Sequence, residues 1–287
     1  MISLDEAIKN FPKRRADSHK GDFGHVLVVA GSAGYTGAAY LASQAAIRSG
    51  SGLVTLAVPE NIYTILAAKL TEVMVRPFAG TKDGSFALKA EGDLLRFAGK
   101  CNSFAIGPGL SQDKETARLV RSLVSRLDGQ VVLDADGINA FSGYSDDLKD
   151  RKSRLILTPH PGELSRLTGR SVEQIQKNRN DIALSLADEY NIVLVLKGHE
   201  TVVADPNGQI YINGTGNPGM ASGGVGDVLT GIVAAFLAQG VDAFSAAMLG
   251  VYFHGLAGDV AAKEKGALSL IATDLLDKLP EVLMALA

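Results

Sequence analysis

The chain has 287 residues, 46% of them hydrophobic, with 32 glycines, no tryptophan and a formal net charge of −3. That length and apolar content fit a folded α/β enzyme with a sizeable core, and exclude a disordered or fibrous chain. The balance of charge, with no basic cluster longer than Lys13-Arg14-Arg15, excludes an electrostatic footprint for nucleic acid. A single cysteine, Cys101, excludes an intrachain disulfide framework and a Cys-based metal site.

The first residues lack the apolar core of a signal peptide, and the most apolar run, 232–238, is too short to span a bilayer. A cytoplasmic protein with no membrane partner is expected. Short β-branched runs then alternate with helical patterns, the signature of βαβ units and a mostly parallel sheet. Strands are predicted over 25–30, 53–58, 104–107, 131–134, 155–157 and 192–196. They are nearly all apolar, as strands covered on both faces must be. Helices are predicted over 38–48, 62–69, 115–126, 172–190, 228–238 and 243–264. Residues 201–204 and 209–212 flank Asp205-Pro206-Asn207-Gly208 and read as a hairpin. With no linker, repeat or low-complexity tract, residues 1–287 are expected to form one domain.

Parallel α/β sheets place ligands at the carboxyl ends of their strands, and the chemically loaded segments fall there. After the first strand comes Gly31-Ser32-Ala33-Gly34-Tyr35-Thr36-Gly37-Ala38-Ala39, which opens a helix but departs from the dinucleotide fingerprint Gly-x-Gly-x-x-Gly. Gly107-Pro108-Gly109-Leu110 is a second tight turn. Leu133-Asp134-Ala135-Asp136 offers two carboxylates, which either hold Mg²⁺ through water or, for Asp136, cap the next helix. Thr158-Pro159-His160-Pro161-Gly162-Glu163 locks His160 between two prolines, and Lys197-Gly198-His199-Glu200-Thr201 starts the hairpin. No His or carboxylate sits at metalloenzyme spacing, so a dedicated transition-metal site is not expected.

The densest segment is Asn217-Pro218-Gly219-Met220-Ala221-Ser222-Gly223-Gly224-Val225-Gly226-Asp227, followed by a helical apolar run. Glycines allow close backbone approach, so the amides of Gly224, Val225 and Gly226 are expected to open a helix N-terminus that binds phosphate. Asp227, in that first turn, is placed to take a proton from a hydroxyl while the amides stabilise a moving phosphoryl group. No Gly-Lys-Ser/Thr follows, so this is not a P-loop.

In series, from His19-Lys20-Gly21-Asp22-Phe23-Gly24-His25 to the Asp227 loop, these motifs resemble the NAD(P)H-hydrate dehydratase family of the ribokinase-like superfamily. The resemblance implies a three-layer α/β/α sandwich with a mostly parallel central sheet. It implies a nucleotide, ADP rather than ATP, that phosphorylates the ring hydroxyl of the S epimer of hydrated NADH or NADPH, with phosphate then eliminated. Lys197, Gly198, His199, Glu200, Thr201 and Gly226 would contact the nucleotide, with Mg²⁺ accompanying it. Ala39, Gly109, His160 and Asp227 would contact the damaged cofactor. A separate NAD(P)H-hydrate epimerase is expected to serve the enzyme, because no room for that domain precedes the first strand. A homo-oligomer, a tetramer by preference, is also implied. Two positions depart from the pattern: His199 stands where a small residue is usual, and Ser111 where Gly is frequent. An ordinary kinase of the same fold, acting on a sugar or on a vitamin precursor such as hydroxyethylthiazole, is the alternative. A non-catalytic nucleotide sensor is a third reading, which a well-placed base argues against.

Overall fold

Six of the first seven strands alternate their side chains between two apolar clusters, which is why their sequences read as continuous hydrophobic runs. Val26 and Val28 face one cluster and Leu27 and Val29 the other; Val193 and Val195 divide from Leu194 and Leu196 in the same way. The computed structural model describes residues 2–286. Its strands are β1 His25–Val29, β2 Leu53–Pro59, β3 Met74–Phe78, β4 Ser103–Ile106, β5 Gln130–Leu133, β6 Arg154–Leu157, β7 Val193–Leu196, β8 Val202–Ala204 and β9 Ile210–Ile212. They form one sheet in the order β3-β2-β1-β4-β5-β6-β7-β8-β9. Pairing is parallel from β3 to β7 and antiparallel through the β8–β9 hairpin.

The helices are α1 Leu4–Lys9, α2 Thr36–Arg48, α3 Tyr63–Lys69, α4 Glu91–Ala98, α5 Lys114–Arg126, α6 Asp136–Asn139, α7 Pro161–Thr168, α8 Val172–Lys177, α9 Arg179–Tyr190, α10 Val225–Ala238, α11 Ala243–Lys265 and α12 Ala272–Val282. Helices α2, α10, α11 and α12 cover one face of the sheet, and α4, α5, α7 and α9 the other. Helix α10 is buried on all sides from Val228 to Ala238. It can cross α2 closely because Gly231 has no side chain: a Cβ there would stand 2.1 Å from the Ala42 carbonyl oxygen.

Six predicted strands and the hairpin recur with end shifts of a residue or two, but β3 escapes the sequence reading. It is an edge strand with only Phe78 buried, and Pro77 sits where an edge tolerates it, so no apolar run announces it. The helix predicted over 172–190 is two helices, because Asn178 leaves helical geometry at φ −132°. Helix α10 starts three residues earlier than predicted, on Val225. The sequence patterns do not predict α1, α4 or α12; α4 and α12 bury a single apolar stripe between charged residues. Among the described residues no helix is long and apolar enough to cross a membrane.

The strand order reverses between β1 and β4, which opens a crevice at the carboxyl ends of the strands. The turns after β1, β4, β5, β6 and β7 all rise on this edge. His19–His25, by contrast, is a packing element: Gly24 and Gly52 have no room for a Cβ against the Ala238 and Lys20 backbone, at the opposite ends of α10 and β1.

Candidate active site

Helix α10 opens on Gly224, whose φ of +90° a side-chain-bearing residue would adopt only under strain. The amides of Val225 and Gly226 begin the helix and have no intrahelical acceptor, so they present donors and partial positive charge. The glycine-rich segment before them is tied down by Asp259 of α11, whose carboxylate accepts from the Gly216 N–H at 2.9 Å and from Asn217 Nδ2 at 3.0 Å. His254, also from α11, is buried and donates from Nε2 to the Val225 carbonyl at 2.9 Å. Burial, chiefly, pushes its pKa down to about 4, so the ring is neutral and serves as a prop for this turn.

Asp227 stands in the first turn, its N–H bonded to the Gly224 carbonyl at 3.1 Å. Burial first, then the negative charge of Asp134, push its pKa up to about 7; Lys197 opposes the rise, and Glu163 and Asp136 add to it. A carboxylate poised near neutrality is suited to accept and return a proton.

Lys197 immediately follows β7 and reaches under the same turn. Its Nζ lies 2.6 Å from Asp134 Oδ1 and 3.8 Å from Glu163 Oε2, and a Cβ on Gly226 would stand 3.3 Å from it. Glycine at 226 leaves the ammonium this close approach; a Cβ there would press it back by a few tenths of an ångström. Burial disfavours that charge, but Asp134 and Glu163 more than offset it and hold the lysine pKa above its ordinary value. Asp134 is 1% exposed, and its second oxygen accepts from Thr230 Oγ1 at 2.7 Å. Both its oxygens are thus engaged by protein, which leaves it poorly placed for Mg²⁺. Asp136 does not cap its helix: Oδ2 accepts from the Ser111 N–H at 2.9 Å and Oδ1 from Asn139 Nδ2 at 3.1 Å. Among the described residues no three His, Cys, Asp or Glu side chains are grouped to hold a metal ion.

His160 caps α7. Its Nδ1 accepts from the Gly162 and Glu163 amides at 2.9 and 3.3 Å, while Glu163 Oε2 accepts from the His160 N–H at 2.8 Å. Since Nδ1 accepts, the neutral ring carries its proton on Nε2, which is 3.3 Å from Glu163 Oε1. Burial, then Lys197 and Arg166, hold the ring pKa below the ordinary histidine value. The side chain is half exposed, so His160 can donate a hydrogen bond to a ligand but is not arranged as a base. Burial raises the Glu163 pKa, with Lys197 pulling the other way.

The turns flanking the strand-order reversal form the second wall. Gly109 has φ +62°, and a Cβ there would meet Ala38 Cβ, Tyr35 Cβ and the Tyr35 carbonyl at 2.9 Å each. Ser32 Oγ donates to the Gly109 carbonyl at 2.8 Å, and the Gly31 N–H to the Pro108 carbonyl at 2.9 Å, so the two turns are tied to each other. Ala39 is fully buried against Gly31 and offers no surface to a ligand; Tyr35, 58% exposed, stands on that wall instead. Ser111 keeps the left-handed backbone, φ +67°, that a glycine would adopt freely, and its Oγ pairs with Ser85 Oγ at 2.7 Å. In the 197–201 segment, Gly198 packs against the Arg179 guanidinium, whose Nη2 donates to the Leu196 carbonyl at 2.8 Å. Thr201 Oγ1 donates to the Gly198 carbonyl at 2.9 Å, while His199 and Glu200 are exposed, so the bulk of His199 points at no packed neighbour.

The structure therefore brings Gly224, Val225, Gly226, Asp227, Lys197 and His160 to one end of the crevice, with Gly109 on its other wall. Thr230, His254, Arg179 and Asp259 escape the sequence reading because each lies in an ordinary helical pattern and acts through a partner far away in the chain. Cys101 stays outside: burial pushes its thiol up to about 11, and it sits by the Phe97 carbonyl.

A model of the NAD(P)H-hydrate dehydratase family matches residues 26–281. The bifunctional NAD(P)H-hydrate repair enzyme of Moorella thermoacetica is 48% identical over 95% of this chain and 51% of its own length. The chain thus spans about half the length of this and similar bifunctional relatives. The ADP-dependent (S)-NAD(P)H-hydrate dehydratase of Bacillus subtilis is 38% identical over 94% of this chain and 93% of its own. The crystal structure of the ADP/ATP-dependent dehydratase from B. subtilis, co-crystallised with ATP and Mg²⁺, superposes with a TM-score of 0.83 at 34% identity, covering 99% of this chain and 98% of that one. Ribokinase of Arabidopsis thaliana, 15% identical with a TM-score of 0.52 over 88% and 98% of the two chains, shares the fold alone, which is the expected ribokinase-like α/β architecture. The chain belongs to the NAD(P)H-hydrate dehydratase family.

Proposed function

We propose that the chain, as one domain over 1–287, restores NADH or NADPH from the S epimer of its hydrate at the expense of a nucleotide, ADP in preference to ATP. The observation that carries this reading is Asp227, with its pKa raised to about 7, on a helix N-terminus whose amides are open to an anion. The hydroxyl of the hydrated ring attacks the terminal phosphoryl group, its proton passes to Asp227, and AMP leaves. Amides of Gly224, Val225 and Gly226, with the Lys197 ammonium, stabilise the charge on the transferring group. The ring nitrogen lone pair then expels phosphate, a far better leaving group than hydroxide, and loss of the adjacent C–H proton restores the dihydronicotinamide.

Residues 197–201 and Gly226 would hold the nucleotide, and Gly109, His160 and Asp227 the hydrate, with Tyr35 taking the place on that wall that Ala39 cannot. Mg²⁺ fits here as an ion carried by the nucleotide: Asp136, partly exposed with one hydrogen bond accepted at each oxygen, is the carboxylate able to hold one of its waters. Bound there, the ion would draw charge from the phosphates. A separate epimerase would supply the S epimer, a pairing suggested by relatives named as bifunctional repair enzymes. A cytoplasmic homo-oligomer, a tetramer by preference, completes the proposal.

The test is stoichiometry. Dehydration requires AMP, inorganic phosphate and dihydronicotinamide to form one for one; nucleotide consumed without phosphate release would instead indicate a kinase acting on another hydroxyl.

A further inference from the structure

Lys197, proposed to contact the nucleotide, also has its ammonium held by a chain of buried groups that touches three parts of the fold. Asp134 follows β5, Lys197 follows β7, and Thr230 lies one turn into α10. Asp134 Oδ1 is 2.6 Å from Lys197 Nζ, Asp134 Oδ2 accepts from Thr230 Oγ1 at 2.7 Å, and Thr230 Oγ1 is 3.2 Å from the Gly226 carbonyl oxygen. Asp134 is 1% exposed and Thr230 0%. The following residue, Ala135, takes φ +49° and ψ −120°, a backbone that costs a non-glycine residue about 1–3 kcal/mol and turns the chain sharply just beyond Asp134.

Resting on the proposed function, we propose that Asp134 and Thr230 are positioning residues: together they fix the Lys197 ammonium and the first turn of α10 in one frame, so that the ammonium and the Gly226 amide meet the same phosphoryl group. An ammonium has three donors. One is committed to Asp134 and one points toward Glu163, at 3.8 Å, which leaves one for the phosphoryl group. If Lys197 instead swung out to follow the nucleotide, Asp134 would be left as an unpaired buried carboxylate, which is strongly unfavourable. Lys197 therefore stays on Asp134 while it works. Thr230 matters because it holds the other carboxylate oxygen and ties Asp134 to the turn that carries Gly226.

The test uses the full chain with Thr230→Val, which keeps shape but removes the hydroxyl, and Thr230→Ser, which restores it. The measurements are kcat with hydrated NADH, affinities for ADP and AMP with Mg²⁺ by calorimetry, and the thermal midpoint. A hydrogen bond to a charged group is worth enough that Thr230→Val should lower kcat about tenfold. It should also narrow the preference for ADP over AMP by about 3-fold, the effect expected when a contact to the terminal phosphate is weakened. Thr230→Ser should recover both, whatever its midpoint. Asp134→Asn should reproduce the Thr230→Val pattern more strongly if it folds. Thr230→Val with wild-type kcat and ADP preference, or Thr230→Ser as impaired as Thr230→Val, would overturn the proposal, since a merely structural role moves only the midpoint. The ADP-to-AMP ratio needs no turnover, so it tests the frame even if hydrated NADH is not the substrate; failure of the wild type to restore NADH would count against the function alone.

Discussion

Asp227→Asn should abolish turnover and, at alkaline pH, make the protein more stable. Burial and the carboxylates around it raise the Asp227 pKa from 3.8 to about 7. An acid whose pKa is higher in the folded than in the unfolded chain favours folding while it stays protonated; that contribution is complete below about pH 4 and is lost as pH rises through about 7. Above that, the ionised carboxylate is a burden that an amide of the same shape does not carry. At about 1.4 kcal/mol per tenfold, the shift sets a ceiling near 4 kcal/mol. Partial exposure and the coupling to Lys197 reduce this to about 2 kcal/mol. With an unfolding entropy of about 2 cal/mol/K per residue, a chain of 287 residues turns that into a rise of about 3 °C in Tm. Calorimetric scans at about pH 8 should show the variant melting higher than wild type, and scans at about pH 5 should show the two nearly together. A variant that melts at or below wild type at alkaline pH would refute the raised pKa, and with it the claim that Asp227 is held ready as a base.

The same pKa predicts that kcat/KM falls about tenfold per pH step below about 7, because only ionised Asp227 accepts the hydroxyl proton; a flat profile between about pH 5 and 7 would contradict this. Gly109→Ala places a Cβ 2.9 Å from Tyr35 and Ala38 at φ +62°, so the paired turns must shift; the KM for the hydrate should rise about tenfold or more with ADP affinity little changed, as steady-state kinetics and calorimetry would show. Gly231→Ala drives a Cβ to 2.1 Å from the Ala42 carbonyl where α10 crosses α2, and should cost about 2–3 kcal/mol, read as a lower chemical-denaturation midpoint at unchanged m.

Much of this was legible in the sequence because the information is local. Continuous apolar runs mark strands buried on both faces, and Gly224 to Asp227 carries its own chemistry: a glycine at positive φ, a second one close to Lys197, then a carboxylate in a first turn. What stayed hidden depends on pairing across the chain. Nothing near Asp134 shows that its oxygens go to Lys197 and Thr230 rather than to Mg²⁺, and nothing near His160 shows that its Nδ1 caps a helix. Ala39 misled for the opposite reason: its place in a motif suggests contact, while packing against Gly31 buries it. Edge strand β3, with Phe78 its one buried residue, has no periodic signal to read.

Nucleotide-driven phosphoryl transfer at Asp227 is proposed to restore the reduced cofactor. Its most direct test is the near-ultraviolet absorbance of the dihydronicotinamide, followed with purified protein, hydrated NADH, Mg²⁺ and either ADP or ATP. The expected result is a rise that requires nucleotide, is faster with ADP, and is absent in Asp227→Asn although that variant still binds nucleotide. No rise with either nucleotide, or a rise that survives Asp227→Asn undiminished, would contradict it.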